Sequence, residues 1–145
     1  MNVQAILSRK GTAVATVQPS ATLAQATASL RDHGVGALVV SANGRTIDGI
    51  LSERDVVRAL AAHGGGTLGR EVSTAMSANV VVCQPDDTVD QLMAMMTDRR
   101  IRHLPVLDGA GEMAGIISIG DVVKARLGEL ELENNQLHDY IQGRA

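Results

Sequence analysis

The sequence predicts a mixed α/β (α+β) fold in which one strand–helix–strand–strand–helix unit occurs twice and is followed by a C-terminal helix. The first observation behind this prediction is that the chain matches itself when shifted by 66 residues, which places Pro19 on Pro85. The second is that short β-branched runs alternate with segments whose apolar residues recur at helical spacing. The third is a Gly-containing turn between two apolar strands in each half.

The internal repeat needs no gap over most of its length. Identical residues align at Thr22/Thr88, Gln25/Gln91, Asp32/Asp98, Leu38/Leu104, Ser52/Ser118 and Asp55/Asp121. The spacing slips near the start of each copy, where Val3 to Pro19 is three residues longer than Val72 to Pro85. We therefore expect a first repeat over residues 1–63, a linker over 64–71, a second repeat over 72–127 and a helical tail over 128–145.

Each copy can be divided into its elements by local signals. In the first copy, Ala13–Val17 predicts a strand that Pro19 ends, and Leu23 begins an apolar helical face capped by Ser20 or Thr22. The remaining predicted elements are a turn at Asn43-Gly44, a helix over Ser52–Ala62, a strand over Asn79–Cys83, a helix from Val89, strands over His103–Leu107 and Met113–Ser118 joined at Asp108-Gly109, and a helix over Ser118–Leu127.

Composition limits the compartment and the partners. The formal net charge is -3 and aromatic residues make up 1% of the chain, so neither a basic nucleic-acid surface nor aromatic base stacking is expected. Cys83 is the single cysteine, which fits a reducing cytoplasm. Arg9 and Lys10 interrupt any signal-peptide-like run, and no stretch approaches the ~20 apolar residues of a membrane span. We expect a cytoplasmic protein with no membrane partner.

No motif of catalysis or metal binding is present. The sequence has no nucleophile elbow, Walker loop, HExxH or CxxC, and its four histidines are scattered. The run His63-Gly64-Gly65-Gly66 lacks the Lys-Ser/Thr of a phosphate-binding P-loop, so it indicates a helix stop and a flexible linker. We expect neither an enzyme nor a metal protein.

Polar residues converge at the ends of the strand pair in the second copy. Arg102 and His103 begin its first strand, whereas Ser118 and Asp121 stand where the second strand gives way to a helix. A carboxylate can accept hydrogen bonds from two adjacent ribose hydroxyls, and Arg with protonated His can hold a phosphate. The alternative is that Asp121 and its counterpart Asp55 only cap their helices.

The repeat, the order of elements and the motifs GILSERDVV, HLPV and GIISIGDVV together resemble a CBS-domain pair, or Bateman module, of the stand-alone bacterial type. The resemblance covers about Val3 to Gly128. It implies two units packed about a pseudo-twofold axis, with an adenine nucleotide as regulatory ligand in the cleft between them. AMP is expected first, with ADP, ATP, NAD and S-adenosylmethionine as alternatives. It also implies no catalytic cofactor and a signal-transduction role through a regulated partner protein.

The resemblance assigns roles by position. It implies ribose contacts from Asp121, Ser118, Asp55 and Ser52, phosphate contacts from Arg102, His103 and Arg54, and an adenine pocket of Ile101, Val81, Val35, Ala37 and Ala15. The first copy departs from the pattern, because Gly36 and Ala37 stand where Arg102 and His103 stand. This departure favours one good phosphate cleft over two equivalent ones.

The tail carries a second apolar pattern. Leu127, Leu130, Leu137 and Ile141 recur at helical spacings with Asn134 completing the series, as in a short coiled-coil seam. Such a short helix does not persist alone in water, so we expect it to join a homodimer, and the alternative is that it folds back on its own chain.

A nucleotide-independent dimerisation or interaction module is the second functional hypothesis, and an enzyme acting on a nucleotide is the third.

Overall fold

The computed structural model describes residues 1–143 as two small sheets packed with helices. The α-helices are α1 (Val3–Lys10), α2 (Leu23–His33), α3 (Glu53–His63), α4 (Val89–Arg99) and α5 (Ile119–Ile141). The strands are β1 (Thr16–Val17), β2 (Ala37–Val40), β3 (Gly49–Ser52), β4 (His103–Leu107) and β5 (Met113–Ser118). Short 3-10 helices over Gly64–Gly69 and Val72–Thr74 join the copies. The predicted tandem α+β architecture is confirmed.

The two sheets place corresponding residues at corresponding ends. In the first copy, β1 pairs in parallel with β2, and β2 pairs antiparallel with β3. In the second copy, β4 pairs antiparallel with β5. The registers set Ser52 opposite Ala37 and Ser118 opposite His103. In each copy, the serine that ends the second hairpin strand and the residue that begins the first hairpin strand therefore lie together at the start of the following helix.

The strand predicted over Asn79–Cys83 is wrong. Within this segment only Cys83 forms a β-bridge, and its partner is Val106. Cys83 N donates to Pro105 O at 2.9 Å, and Cys83 O accepts from Leu107 N at 3.0 Å. In the first copy, Val39 N donates to Ala15 O at 3.0 Å, which extends the pairing. Pro105 occupies the position of Val39 and has no N–H to donate, so the ladder ends there.

The two copies exchange their leading segments, a feature that the sequence does not predict. Helix α1 belongs to the start of the first copy, but its residues Val3, Ile6 and Leu7 are buried in the core of the second. Conversely, Val72 from the start of the second copy is fully buried in the core of the first. Each core is therefore completed by the other copy.

Matching hydrogen bonds hold the exchanged segments. Val3 N donates to Asp87 O at 2.9 Å, and Val72 N donates to Ala21 O at 2.8 Å. Gly49 and Gly115 lie under the exchanged segments, where an added Cβ would stand 2.6 Å from Met76 Sδ and Leu7 Cδ2 respectively. The same packing thus recurs on both sides of the molecule, as the pseudo-twofold arrangement requires.

The joint between the copies is ordered. Helix α3 ends at His63 as the glycine run predicts, and Gly64 adopts a φ of +61°, which favours glycine. The chain then continues as a 3-10 helix instead of a loose linker. Thr67 anchors it, because its buried hydroxyl donates to Gly64 O at 2.7 Å and to Ala59 O at 3.2 Å.

The predicted closing helix and tail form one helix, α5, of 23 residues. Leu127, Leu130 and Leu137 on its C-terminal part are 55%, 45% and 57% exposed. The predicted seam therefore does not pack on its own module in the single chain. Neither α5 nor any other helix in residues 1–143 combines the length and apolar character that crossing a membrane requires.

Candidate functional site

Asp121 and Asp55 each close a capping box at the start of a helix. Asp121 Oδ2 accepts from Ser118 N at 2.8 Å and from Ser118 Oγ at 3.0 Å, and Asp121 N donates back to Ser118 Oγ at 3.2 Å. Asp55 and Ser52 repeat this arrangement at 2.9, 3.1 and 3.3 Å. Within residues 1–143, the second oxygen Oδ1 of each carboxylate accepts no hydrogen bond. Both carboxylates therefore cap, and each keeps one oxygen available.

Lys10 distinguishes the second copy from the first. Its Nζ donates to Asp121 Oδ2 at 2.7 Å and to Ile116 O at 2.9 Å. The pair is partly shielded from solvent, with side-chain exposures of 30% for Lys10 and 22% for Asp121. Sequence reasoning missed Lys10 because it depends on the exchanged helix α1, and no local pattern signals that exchange.

The two carboxylates therefore differ in charge balance. Burial by itself would raise the pKa of Asp121, but hydrogen bonds from Lys10 and Ser118 and the charge of Lys10 together hold that pKa below its ordinary value. Among the described residues, Asp55 forms no ion pair. Asp121 thus stays ionised beside a fixed cation.

His103 reaches across to the first copy. An added Cβ on Gly36 would lie 3.2 Å from His103 Cε1 and 3.3 Å from Glu53 Oε1, so glycine at position 36 leaves room for the imidazole. The absence of a basic residue at position 36 therefore has a steric reason. Burial lowers the pKa of His103, with Lys10 and Arg102 acting in the same direction and Glu53 and Asp121 opposing it.

The backbone around Arg102 follows the same pattern in both copies. Arg102 O accepts from Ile119 N at 2.8 Å, and Gly36 O accepts from Glu53 N at 3.0 Å. The structure therefore brings Arg102, His103 and Lys10 to the start of α5, beside the capping box there. Arg54 lies exposed in the first turn of α3 and forms no ion pair within residues 1–143.

The residues assigned to an adenine pocket divide between the two cores. Val81 and Ile101 are half-buried against the core of the second copy, and Ala15 against that of the first. Ala37 is buried, whereas Val35 is 36% exposed. Val35 and Ala37 flank Gly36, which is in contact range of His103. Apolar surface therefore lies on both sides of the contact between the copies.

Cys83 does not contribute a reactive group. Burial, with Asp87 nearby, raises the pKa of its thiol to about 12, although the backbone N–H opposes the rise. Within the described part of the chain, no three residues of the His, Cys, Asp and Glu types lie together in a group that could hold a metal ion.

Two shallow cavities lie away from Arg102 and His103. One, of about 340 Å³, is bordered by α4 and α5 and includes Asp90, Glu129 and Glu133. The other, of about 320 Å³, includes Asp55 and lies between α3 and the segment that follows the joint. Asp55 therefore has a concave space beside it, whereas Arg102 and His103 border neither cavity.

Comparison with known proteins identifies the architecture. The family model described as "CBS domain" matches residues 5–62 and 70–128. The CBS domain-containing protein CBSX3, a mitochondrial protein of Arabidopsis thaliana, is 39% identical over 126 residues, which are 84% of this chain and 61% of that protein. The present chain thus spans less than two thirds of the length of that relative.

Two solved structures show the same fold. A CBS-domain containing protein from Agrobacterium tumefaciens is 50% identical, with a TM-score of 0.81 over 86% of this chain and 98% of its own. A CBS domain protein from Pyrobaculum aerophilum complexed with AMP is 24% identical, with a TM-score of 0.78 over 92% of this chain and 99% of its own.

Proposed function

This chain belongs to the CBS-domain family, and from that premise we propose that it is a regulatory module that binds an adenine nucleotide between its two repeats. CBS-domain pairs are generally regulatory modules and not catalysts. The observation that carries the proposal is the Ser118–Asp121 pair. Its carboxylate has one free oxygen, Oδ1, while the other accepts from Lys10, and the strand that Arg102 and His103 begin lies next to Ser118. The AMP bound by the Pyrobaculum aerophilum protein supports the ligand class by shared fold alone.

The geometry suits a ribose next to a phosphate. Asp121 Oδ1 can accept from one or both ribose hydroxyls while Oδ2 stays in the capping box. Hydrogen bonds to a charged group contribute roughly 1.5–3 kcal/mol each. A bare carboxylate would repel an anionic nucleotide, but Lys10 balances its charge at 2.7 Å. Arg102 and His103 then supply donors for phosphate oxygens.

The contact between His103, Gly36 and Glu53 offers a route from ligand to partner. A phosphate that draws His103 towards itself changes a contact shared by both copies. Ligand binding then shifts the packing of the repeats, and a partner protein detects the shift. AMP is the first candidate ligand, and ATP and NAD are the alternatives. A cytoplasmic location and a regulated partner protein are part of this proposal.

Calorimetry tests the proposal directly. AMP should bind more tightly than adenosine, and the difference should shrink as salt increases, because the phosphate contacts are ionic. The double variant Arg102→Gln, His103→Gln should bind AMP no better than adenosine. Arg99→Gln, which removes a nearby charge from the end of α4, is the matched control. Absence of heat with any adenine nucleotide at millimolar concentration would contradict the proposal.

Dimerisation is the second candidate function, and a separate observation favours it. A set of apolar side chains on α3 and α5 remains uncovered in the single chain. Its members and exposures are Val57 63%, Leu60 44%, Val123 49%, Leu127 55% and Leu130 45%. A second copy would cover it by symmetry. We propose a homodimer through this surface, and sedimentation with and without AMP separates a ligand-dependent assembly from a nucleotide-independent one.

A further inference from the structure

The C-terminal half of α5 lies outside the core of the module. Val122 and Ala125 hold the first turns of α5 in the core of the second copy, but every residue from 130 to 141 is exposed. This half contains two asparagines and follows Gly128, and these residue types are poor helix formers. A helix of this length is marginal in water without tertiary contacts. A partner surface is therefore needed to keep this part of α5 helical.

One apolar seam follows α5 from the module to the end of the helix. In heptad notation, position d is taken by Val123, Leu130 and Leu137, and position a by Leu127, Asn134 and Ile141. The apolar members are between 45% and 73% exposed. Val123, Leu127 and Leu130 belong to the set through which the homodimer is proposed, so the seam extends that set beyond the module. Contact between two modules would also hold their tails at a high effective concentration.

Asn134 determines which orientation of two seams is satisfied. In a parallel pair in register, equivalent positions face each other, so the amide of Asn134 meets the same amide of a second copy, donor to acceptor. In an antiparallel pair, position a faces position d, and Asn134 would lie against valine or leucine. A polar group covered in this way, without a hydrogen-bond partner, is destabilising. The seam therefore favours the parallel orientation.

The charges that flank the seam are complementary in the same orientation. In a parallel pair, a residue at position g faces position e of the partner helix, five residues later in the chain. This rule pairs Arg126 with Glu131 of the second copy, and Glu133 with His138 of the second copy. Within residues 1–143, Glu131, Glu133 and His138 form no ion pair. Arg126 contacts Glu129 through Nη1 at 3.0 Å and keeps further guanidinium donors for a partner.

We infer that the seam binds a second copy of this chain as a parallel two-stranded coiled coil, with the two Asn134 side chains at the same level. The inference rests on the proposed homodimer and specifies its geometry. The twofold axis runs alongside α5, so the second repeats of the two subunits lie next to each other. Both tails then extend from the same side of the dimer as one stalk.

Single cysteines in the full chain test the orientation. Leu130→Cys and Leu137→Cys, made separately and oxidised mildly, should each give a disulfide-linked dimer, because d side chains meet across a parallel pair. The native Cys83 is buried and does not compete. Leu132→Cys, at the outward position f, is the matched control and should stay largely unlinked.

The spacing of the two cysteine positions separates the orientations. Leu130 and Leu137 are about 10.5 Å apart along the helix. In an antiparallel pair that brings the two copies of Leu130 together, the two copies of Leu137 would be about 21 Å apart, which is too far for a disulfide. Linking in only one of the two variants, or equal linking in Leu132→Cys, would overturn the parallel coiled coil.

Matched substitutions test the polar contacts by sedimentation. Asn134→Leu should lower the dimer dissociation constant about tenfold, because a polar residue at position a costs stability, whereas Asn135→Leu on the outer face should change it less than about twofold. Glu131→Lys faces Arg126 of the second copy and should raise the dissociation constant about fivefold, and Asp139→Lys at position f is its control. Equal effects within either matched pair would overturn the assigned contacts.

Sedimentation of the unmodified chain distinguishes failure of this inference from failure of the proposals on which it rests. A dimer whose Leu130→Cys and Leu137→Cys variants both stay unlinked would overturn the coiled coil and leave the homodimer standing. A monomer at roughly 100 μM would contradict the coiled coil and the homodimer together, and would assign the seam to its own chain or to a different protein. Neither result changes the calorimetric test of AMP binding.

Discussion

Replacing Asp121 with asparagine separates the two tasks of this carboxylate. An asparagine Oδ1 can still accept from Ser118 N and Ser118 Oγ, the two donors that Asp121 Oδ2 now takes at 2.8 and 3.0 Å. The capping box therefore persists, while the charge that faces Lys10 and the proposed ribose is lost. Asp55→Asn is the matched control, because it alters the same box in the absence of an ion pair among the described residues.

The expected magnitudes follow from these contacts. A negative charge at a helix N-terminus contributes about 0.3–1 kcal/mol, so Asp55→Asn should lower the free energy of unfolding by about 0.5 kcal/mol. Asp121→Asn also breaks the pair with Lys10, whose side chains are 30% and 22% exposed, and this adds about 0.5–1 kcal/mol. Loss of one or two charged hydrogen bonds to ribose should weaken AMP binding about ten- to a hundredfold.

Urea denaturation and calorimetry on the same samples measure both quantities. The double variant Lys10→Met, Asp121→Asn completes a cycle that isolates the ion pair from the charge effect on the helix. Folded Asp121→Asn that binds AMP with wild-type affinity would refute a ribose contact at this residue. Equal stability losses in Asp121→Asn and Asp55→Asn would refute a stabilising role for Lys10.

Three further predictions concern packing, pH and assembly. Gly115→Ala places a Cβ 2.6 Å from Leu7 Cδ2 and should cost about 1–3 kcal/mol in urea denaturation, whereas Gly65→Ala, with nothing within 4 Å, should be tolerated. Burial lowers the pKa of His103 in the folded chain below its ordinary 6.5, so the unfolded chain binds more protons between the two values. Stability should therefore fall as pH drops below about 6.5, and a flat profile from pH 7.5 to 5.5 would contradict this. Truncation after Gly128 should shift the proposed dimer towards monomer in sedimentation, and an unchanged dissociation constant would show that the tail does not hold the subunits.

Much of the fold could be predicted because its signals are local or repeated. Pro19 and Pro85 mark the shift between the copies. Thr22, one of the two caps that the sequence offers for α2, is the residue that caps it, and its counterpart Thr88 caps α4. The Ser118–Asp121 spacing likewise produces a capping box that any helix start of this kind can form. The role of these residues in ligand binding stays a prediction, because capping alone also explains their geometry.

The rest depends on contacts between residues that are distant in the chain. Lys10 and Asp121 are 111 residues apart, and nothing near either residue indicates the other. Gly36 at first reads as a lost phosphate contact, but its small size admits the ring of His103 from the other copy. Pro105 ends the strand pairing of the segment before Cys83, because it has no N–H to donate to that segment. This effect can be predicted only when the segment paired with Pro105 is known.

Because the copies exchange their leading segments, helix α1 is synthesised before the second copy but is buried only in the core of that copy. Helix α1 leaves the ribosome before the two sheets do, but Val3 belongs to a core whose members extend to Ala125. The core of the first copy can close once Val72 has emerged, while α1 keeps its apolar face in water until most of the chain exists. Contacts of this sequence separation slow folding, so we expect the docking of α1 to follow the closure of the first core.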